Sequence, residues 1–70
     1  DEKFEMLSFE GYYVMAVTAL AVLVKPEGAE DDAKIWLPKS KLELTHGDTE
    51  KGEIIDFEIP RWLAEEKDLA

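Results

Sequence analysis

The fold of this chain depends above all on Tyr12-Tyr-Val-Met-Ala-Val-Thr-Ala-Leu-Ala-Val-Leu-Val-Lys25. Its many β-branched and aromatic residues favour strands over a helix, which is the competing interpretation for Val14–Val24. We predict two paired strands, Tyr12–Val17 and Leu20–Lys25, joined at Thr18-Ala19, or else one long bent strand. Because both faces are apolar, this segment is expected at the centre of a small barrel.

Shorter strand signals lie on either side of this central segment. Residues with the alternation or composition of short strands are found at 3–9, Ile35–Leu37, Leu42–Thr45 and Ile55–Ile59. Glu10-Gly11 follows the first of them and is a natural turn or bulge point. Pro38 ends the predicted strand Ile35–Leu37. Because proline cannot donate to a strand ladder, this strand end is expected at a sheet edge or a bulge.

The C-terminal residues have the composition of a short helix. Pro60 is favourable at a first helical position and strong helix formers follow it, so the sequence predicts a helix over residues 60–69. Trp62, Leu63 and Leu69 are expected to dock this helix against the strands. Trp62 could instead anchor a partner, but the structural role is preferred. The elements together predict a mainly β fold, a small SH3-like or OB-like barrel of five to six short strands with a C-terminal helix that covers an open end.

Length and composition exclude several classes of protein. Seventy residues allow a single domain over residues 1–70, with little core to spare for an internal pocket. The chain has no cysteine, which excludes a disulfide framework, a thiol nucleophile and iron–sulfur clusters, and which fits the cytosol. The longest nearly apolar run, Tyr12–Val24, is too short to cross a bilayer. We therefore expect a cytoplasmic protein that does not enter a membrane.

The charge is strongly acidic but unevenly distributed. Eight Lys and Arg against seventeen Asp and Glu give a net charge of −9. This charge disfavours nucleic acid and anionic membranes as partners, because phosphates are bound by basic side chains. Residues 33–42 are the exception, since they contain three lysines and no acidic residue. A short cationic segment therefore interrupts an acidic chain.

No constellation for catalysis or metal binding is found in the sequence. His46 is the only imidazole base, and no nucleophile-elbow glycines surround Ser40, six residues before it. Glu30-Asp31-Asp32 lacks the ligand spacing of a calcium loop and is better interpreted as solvated loop charge. The glycines match neither a phosphate-binding nor a dinucleotide-binding loop. We predict a non-enzymatic protein with no catalytic residues, cofactor or metal.

The remaining unusual stretch is Lys34-Ile-Trp-Leu-Pro-Lys-Ser-Lys41, in which basic side chains flank an aromatic one. Such a surface could follow a phosphate backbone while Trp36 stacks on a base. The candidate binding residues are Lys34, Trp36, Lys39, Ser40 and Lys41, with Tyr12 and Tyr13 extending the aromatic platform. The competing interpretation, which we prefer, places Trp36 inside the barrel or against the helix and leaves the lysines to solubilise a sheet edge.

Two motifs of this chain resemble a known family. Ile35-Trp-Leu-Pro-Lys-Ser40 and Ile59-Pro-Arg-Trp-Leu-Ala-Glu-Glu-Lys67 are similar to a short acidic module of bacteriophage and phage-derived bacterial proteins. The likeness extends over Val17–Leu69. The chain departs from the module at Lys41, where Gln is expected, and at Asp68, where Gly is expected. The resemblance implies a phage-infected or prophage-bearing bacterial cell and proximity to DNA-handling genes, and it implies no catalytic residues.

Three functions are consistent with these features. The first is a phage-type accessory protein that acts as a small protein-interaction module near DNA metabolism, presenting Trp36, the lysine turn and sheet edges to a protein partner. The second is a single-stranded nucleic-acid-binding module that uses Lys34, Trp36, Lys39 and Lys41. The third is a DNA mimic that inhibits a host protein with carboxylates in rows at phosphate spacing. Pairing of sheet edges in a homodimer could accompany any of them.

Overall fold

The computed structural model describes residues 4–69 as one antiparallel sheet of five strands followed by a short helix. The elements are β1 (Met6–Val17), β2 (Ala21–Pro26), β3 (Ile35–Pro38), β4 (Glu43–His46), β5 (Ile54–Pro60) and α1 (Arg61–Glu66). Across the sheet the strands lie in the order β3-β2-β1-β5-β4, each antiparallel to its neighbours. The prediction of a mainly β fold with a C-terminal helix is confirmed.

β1 is a long strand that a bulge at Gly11 divides into two halves. Its pairing with β5 shifts register between Phe9 and Tyr12, which is the effect of extra residues in one strand of a pair. Gly11 has a left-handed φ of 71°, and its N–H donates to Asp56 Oδ1 at 3.0 Å. β1 therefore joins the strands predicted at 3–9 and Tyr12–Val17 into one. Residue 3 of the first prediction lies outside the described residues.

β1 and β2 form the predicted hairpin at the centre of the sheet. Val14 lies opposite Val24, and both are fully buried. Thr18 closes the turn, because its N–H donates to the Ala21 carbonyl at 2.9 Å and its Oγ1 accepts the Ala21 N–H at 3.1 Å. The prediction of paired strands is confirmed, although Leu20 lies in the turn and β2 begins at Ala21. The helical alternative for Val14–Val24 is wrong.

The core lies on the inner face of the sheet, and α1 contributes Leu63 and Ala64 to it. Its fully buried or nearly buried side chains are Tyr12, Val14, Val22, Val24, Leu37, Ile55, Phe57, Ile59, Leu63 and Ala64. Phe57 is at its centre, stacked on Phe9 with ring centroids 5.5 Å apart and meeting Tyr12 edge-on at 5.0 Å. Burial of each large apolar side chain contributes about 1.5–3 kcal/mol. The alternation predicted for β5 is confirmed, since Ile55, Phe57 and Ile59 all point inward.

β3 and β4 are the two edge strands of the sheet in the described chain. β3 ends at Pro38, as predicted for a strand at an edge, and single 3₁₀ turns lie on either side of it at Asp31–Ala33 and Lys39–Lys41. No pairing joins β3 to β4 within residues 4–69, so the sheet is not closed. The choice between an SH3-like and an OB-like barrel therefore stays a prediction.

α1 begins at Arg61, one residue later than predicted. Pro60 ends β5 and has an extended conformation with ψ of 148°, so it precedes the helix instead of starting it. The Arg61 N–H donates to the Glu5 carbonyl at 2.7 Å, and its Nη2 lies 2.8 Å from Glu5 Oε1. Leu63 is buried and Trp62 packs against the core, as expected for a docked helix.

α1 also ends earlier than the predicted range of 60–69. The chain leaves the helix through Asp68, whose φ of 61° is left-handed and cannot continue a right-handed helix. The Asp68 N–H donates to the Glu65 carbonyl at 3.2 Å, and the Leu69 N–H donates to the Ala64 carbonyl at 2.7 Å. These bonds form a Schellman cap. Among the described residues, no helix has the length and apolar character needed to span a membrane.

Candidate partner-binding surface

Trp36 lies on the outer face of the edge strand β3 and is 44% exposed. The preferred interpretation, in which it fills the interior or packs on the helix, is therefore wrong. Successive side chains of a strand point to opposite faces. Leu37 is fully buried and Ile35 packs against the core, so the strand directs the intervening Trp36 to solvent.

An apolar residue of β2 lies beside Trp36, and an exposed leucine lies in the turn that meets the end of β3. Leu23 of β2 is directly opposite Trp36 and Ala16 of β1 is opposite Leu23, and residues opposite each other share a face of the sheet. Leu20 in the hairpin turn is 81% exposed. Its carbonyl accepts the Lys39 N–H at 2.8 Å, which brings this turn to the end of β3.

Lysines lie at both ends of the same strand. Lys34 precedes β3 and is exposed, whereas Lys39, Ser40 and Lys41 form the 3₁₀ turn that follows it. Neither of the two salt bridges found within residues 4–69 involves these lysines. The surface formed by Leu20, Leu23, Lys34, Trp36, Lys39 and Lys41 is called the Trp36 surface below.

Lys25 is also on this half of the sheet, but it interacts with the acidic loop that precedes β3. Its Nζ donates to Asp31 Oδ1 at 3.0 Å and to the Ala29 carbonyl at 2.9 Å. The hydrogen bond from Lys25 holds the pKa of Asp31 below its usual value, with Coulomb attraction from Lys25 and then Lys34 adding to the effect. The loop carboxylate is therefore tied to β2.

Of the two tyrosines predicted to extend the platform, only Tyr13 lies on the outer face. It is half-buried and opposite Lys25. Tyr12 is 8% exposed and belongs to the core, where it meets Phe9 and Phe57 edge-on. Burial raises the pKa of the Tyr12 hydroxyl. Tyr12 cannot stack on a ligand because its ring is covered on the inner side of the sheet.

The residues weighed for catalysis or metal binding lie apart from one another. Ser40 is in the turn after the edge strand β3, while His46 ends the opposite edge strand β4 and lies opposite Asp56. Within the described range, no group of three or more His, Cys, Asp or Glu side chains could hold a metal ion.

The outer face has different chemistry on its β4–β5 half. There Glu43 lies opposite Glu58, and Ser8 of β1 donates its hydroxyl proton to Glu58 Oε2 at 3.1 Å. Other carboxylates lie in the loops and on α1. The sheet therefore presents an apolar surface with lysines at β2–β3 and an acidic one at β4–β5.

Sequence reasoning missed Leu20 and Leu23 as members of the surface. Both occur in the central apolar segment, where the residues on either face of the strand are hydrophobic, so alternation alone does not show which face meets solvent. A comparison of the chain with protein-family models, curated proteins and solved structures found no match.

Proposed function

We propose that this protein is a non-enzymatic interaction module that binds a protein partner through the Trp36 surface. The observation that carries the proposal is the position of Trp36, which is 44% exposed on the outer face of the edge strand β3. Tryptophan is enriched among the residues that dominate binding energy at interfaces. Covering this side chain would remove apolar area from water at about 25 cal/mol per Å².

The surroundings of Trp36 have the layout of a small interface. Leu23 provides apolar contact area opposite Trp36, and Leu20 is exposed in the turn that meets the end of β3. Lys34 and Lys41 are exposed before and after β3 and correspond to the polar rim of protein interfaces. A role at the outer surface is also supported by the inner face, which packed side chains fill.

Two finer expectations accompany this proposal. We propose that the sheet belongs to a small SH3-like or OB-like barrel, which the bulged β1 supports because it pairs with β5 between Met6 and Tyr13 and with β2 between Tyr12 and Val17. We also propose that the protein acts in the cytoplasm of a phage-infected or prophage-bearing bacterial cell, on the basis of the motif resemblance described above.

Site-specific photo-crosslinking tests the interaction surface. A photoreactive residue at position 20 should cross-link a defined host protein, whereas the same residue at Glu65 on α1, which is also exposed, should not. The cross-link at position 20 should be lost when Trp36 is replaced by Ala. Equal labelling from both positions, or labelling that persists in Trp36→Ala, would contradict the proposal.

Single-stranded nucleic acid is the second candidate ligand, favoured by one observation. The exposed Trp36 lies between lysines and on the same outer face as Tyr13, which is the combination that stacking proteins use. In the variant Trp62→Phe, fluorescence reports on Trp36 alone, and binding should quench it in a titration with oligothymidine at low salt. Absence of quenching would remove this candidate. DNA mimicry has no comparable observation in its favour.

A further inference from the structure

We infer that the Trp36 surface binds an extended acidic segment of a protein, which adds to the sheet as a new strand along β3. The inference rests on the proposed function and specifies the chemistry of the partner and the way it binds. It follows from three features of β3, namely the direction of its backbone groups, its outer side chains and its charge.

The backbone N–H and C=O of Trp36 point away from β2, toward the open edge of the sheet. Lys39 N–H donates to the Leu20 carbonyl, so residues 20 and 39 form a hydrogen-bonded pair between β2 and β3. Bonded and non-bonded pairs alternate along an antiparallel ladder. Trp36 is three residues from Lys39, so its pair with Leu23 is a non-bonded one, and its backbone groups face the open edge.

The hairpin leads independently to the same assignment. Thr18 N–H donates to the Ala21 carbonyl, so Ala21 directs its backbone groups toward β1. The direction of the backbone groups alternates along β2, so residues two apart share it. The N–H and C=O of Leu23 therefore also point toward β1 and cannot bond to Trp36. The only strand neighbour of β3 in the described chain is β2. Trp36 therefore offers a donor and an acceptor to an incoming strand, as in β-augmentation.

The outer side chains of β3 specify what the incoming strand should contain. Lys34 is extended, with ψ of 145°, so its side chain and that of Trp36 share the outer face. In an added strand, the residue opposite Trp36 would lie beside the indole, and residues two positions away would lie near Lys34 and near Pro38, which the lysine turn Lys39–Lys41 follows. We expect an apolar residue with a carboxylate two positions to each side.

Local charge complementarity favours this acidic partner. Residues 33–42 contain three lysines and no carboxylate, although the whole chain carries a net charge of −9. Asp31, the carboxylate that Lys34 attracts, is already paired with Lys25, and repulsion from acidic residues farther away is screened over about 8 Å at physiological ionic strength. An acidic strand along β3 would therefore interact mainly with the adjacent lysines. A second copy of the chain would bring its own lysines into contact if two β3 edges paired symmetrically.

The test uses the peptide Thr-Glu-Thr-Val-Thr-Glu-Thr and three modified forms of it. In one, glutamine replaces both glutamates; in another, lysine does; in the third, the central valine amide is methylated, which removes the donor to the Trp36 carbonyl. Binding is followed by Trp36 fluorescence in Trp62→Phe protein, and hydrogen exchange of the Trp36 amide is followed by NMR. Sedimentation of the protein alone monitors self-association.

We expect the unmodified peptide to bind and to slow exchange of the Trp36 amide. Methylation should weaken binding roughly tenfold, since a hydrogen bond in the new ladder is lost. Lys34→Glu should weaken it roughly fivefold, as expected for a charge pair between adjacent strands. Lys51→Glu makes the same charge change at an exposed loop position and should leave binding almost unchanged. The lysine peptide should not bind.

Several results would overturn the inference. No binding by the acidic peptide would do so, as would equal binding of the methylated or glutamine form. If a host protein still cross-links at position 20 in a Trp36-dependent manner, the proposed interaction function survives while strand addition fails. Quenching by oligothymidine without binding of the peptide would indicate a nucleic-acid surface instead. Concentration-dependent protection of the Trp36 amide in the protein alone would identify a second copy as the occupant.

Discussion

Glu43 on β4 lies directly opposite Glu58 on β5, so two carboxylates face each other across neighbouring strands of the outer face. Like charges in this position are destabilising, and a pair of opposite charges contributes about 0.2–1 kcal/mol. Glu43→Lys should therefore raise the free energy of unfolding by about that amount, as measured by chemical denaturation. Glu50→Lys, the same charge change in the β4–β5 loop, is the control. An equal gain in this control would indicate a net-charge effect instead of a pair effect.

Asp68 occupies the left-handed position of the Schellman cap that ends α1. A side chain at this conformation is disfavoured, by about 1–2 kcal/mol for most residues and by less for Asp. Asp68→Gly should therefore stabilise the protein, by roughly 0.5–1 kcal/mol, in thermal or chemical unfolding. Glu65→Gly, at an exposed position within the helix, should instead destabilise it by about 1 kcal/mol. A loss of stability in Asp68→Gly would show that the Asp side chain contributes to the cap.

Gly47 is the glycine at which a side chain would meet the most resistance. Its φ is +85°, and a Cβ there would lie 2.7 Å from the Ile54 carbonyl oxygen. Gly52 also has a left-handed φ, of +93°, but nothing lies within 4 Å of its Cβ position. Gly47→Ala should cost more than about 2 kcal/mol, combining strain and steric overlap. Gly52→Ala should cost about 1 kcal/mol, and equal losses would exclude the steric contribution.

Because the Tyr12 hydroxyl is buried, we expect the free energy of unfolding to fall at alkaline pH. Burial raises the pKa of its hydroxyl above the ordinary value of 10.0, so the unfolded chain releases this proton at a lower pH than the folded protein does. The contribution to stability is therefore complete below pH 10 and declines as pH rises through the folded-state pKa. Denaturation between pH 9 and about 11 should show a shallower decline in Tyr12→Phe. An identical decline in both proteins would assign the effect to other groups.

Much of the fold could be predicted from local patterns. Ile55, Phe57 and Ile59 alternate with acidic residues, and this pattern places three apolar side chains on one face only. Pro38 marked the end of an edge strand because it lacks an N–H. The position at which α1 ends could not be predicted, because the helix is terminated by the left-handed backbone conformation of Asp68 and not by a helix-breaking residue.

The candidate surface was only partly predictable. The sequence indicated that Trp36 lies among lysines, but its exposure depends on Ile35 and Leu37 both packing inward from the same short strand. Tyr12 and Tyr13 are adjacent and chemically identical, and the bulge at Gly11 lies in the strand just before them. Only the register of β1 with its two neighbours determines that Tyr12 is buried and Tyr13 lies on the outer face.

By itself, the amino-acid sequence determined the strand segments, the acidic net charge and the cationic stretch around Trp36. These properties follow from composition and from contacts between residues close in the chain. Tertiary structure alone decided which strand lies at each edge, which face of the central hairpin meets solvent, and that Leu23 lies opposite Trp36. Such features depend on pairing between residues distant in sequence, and where both faces of a strand are apolar, local alternation does not distinguish them.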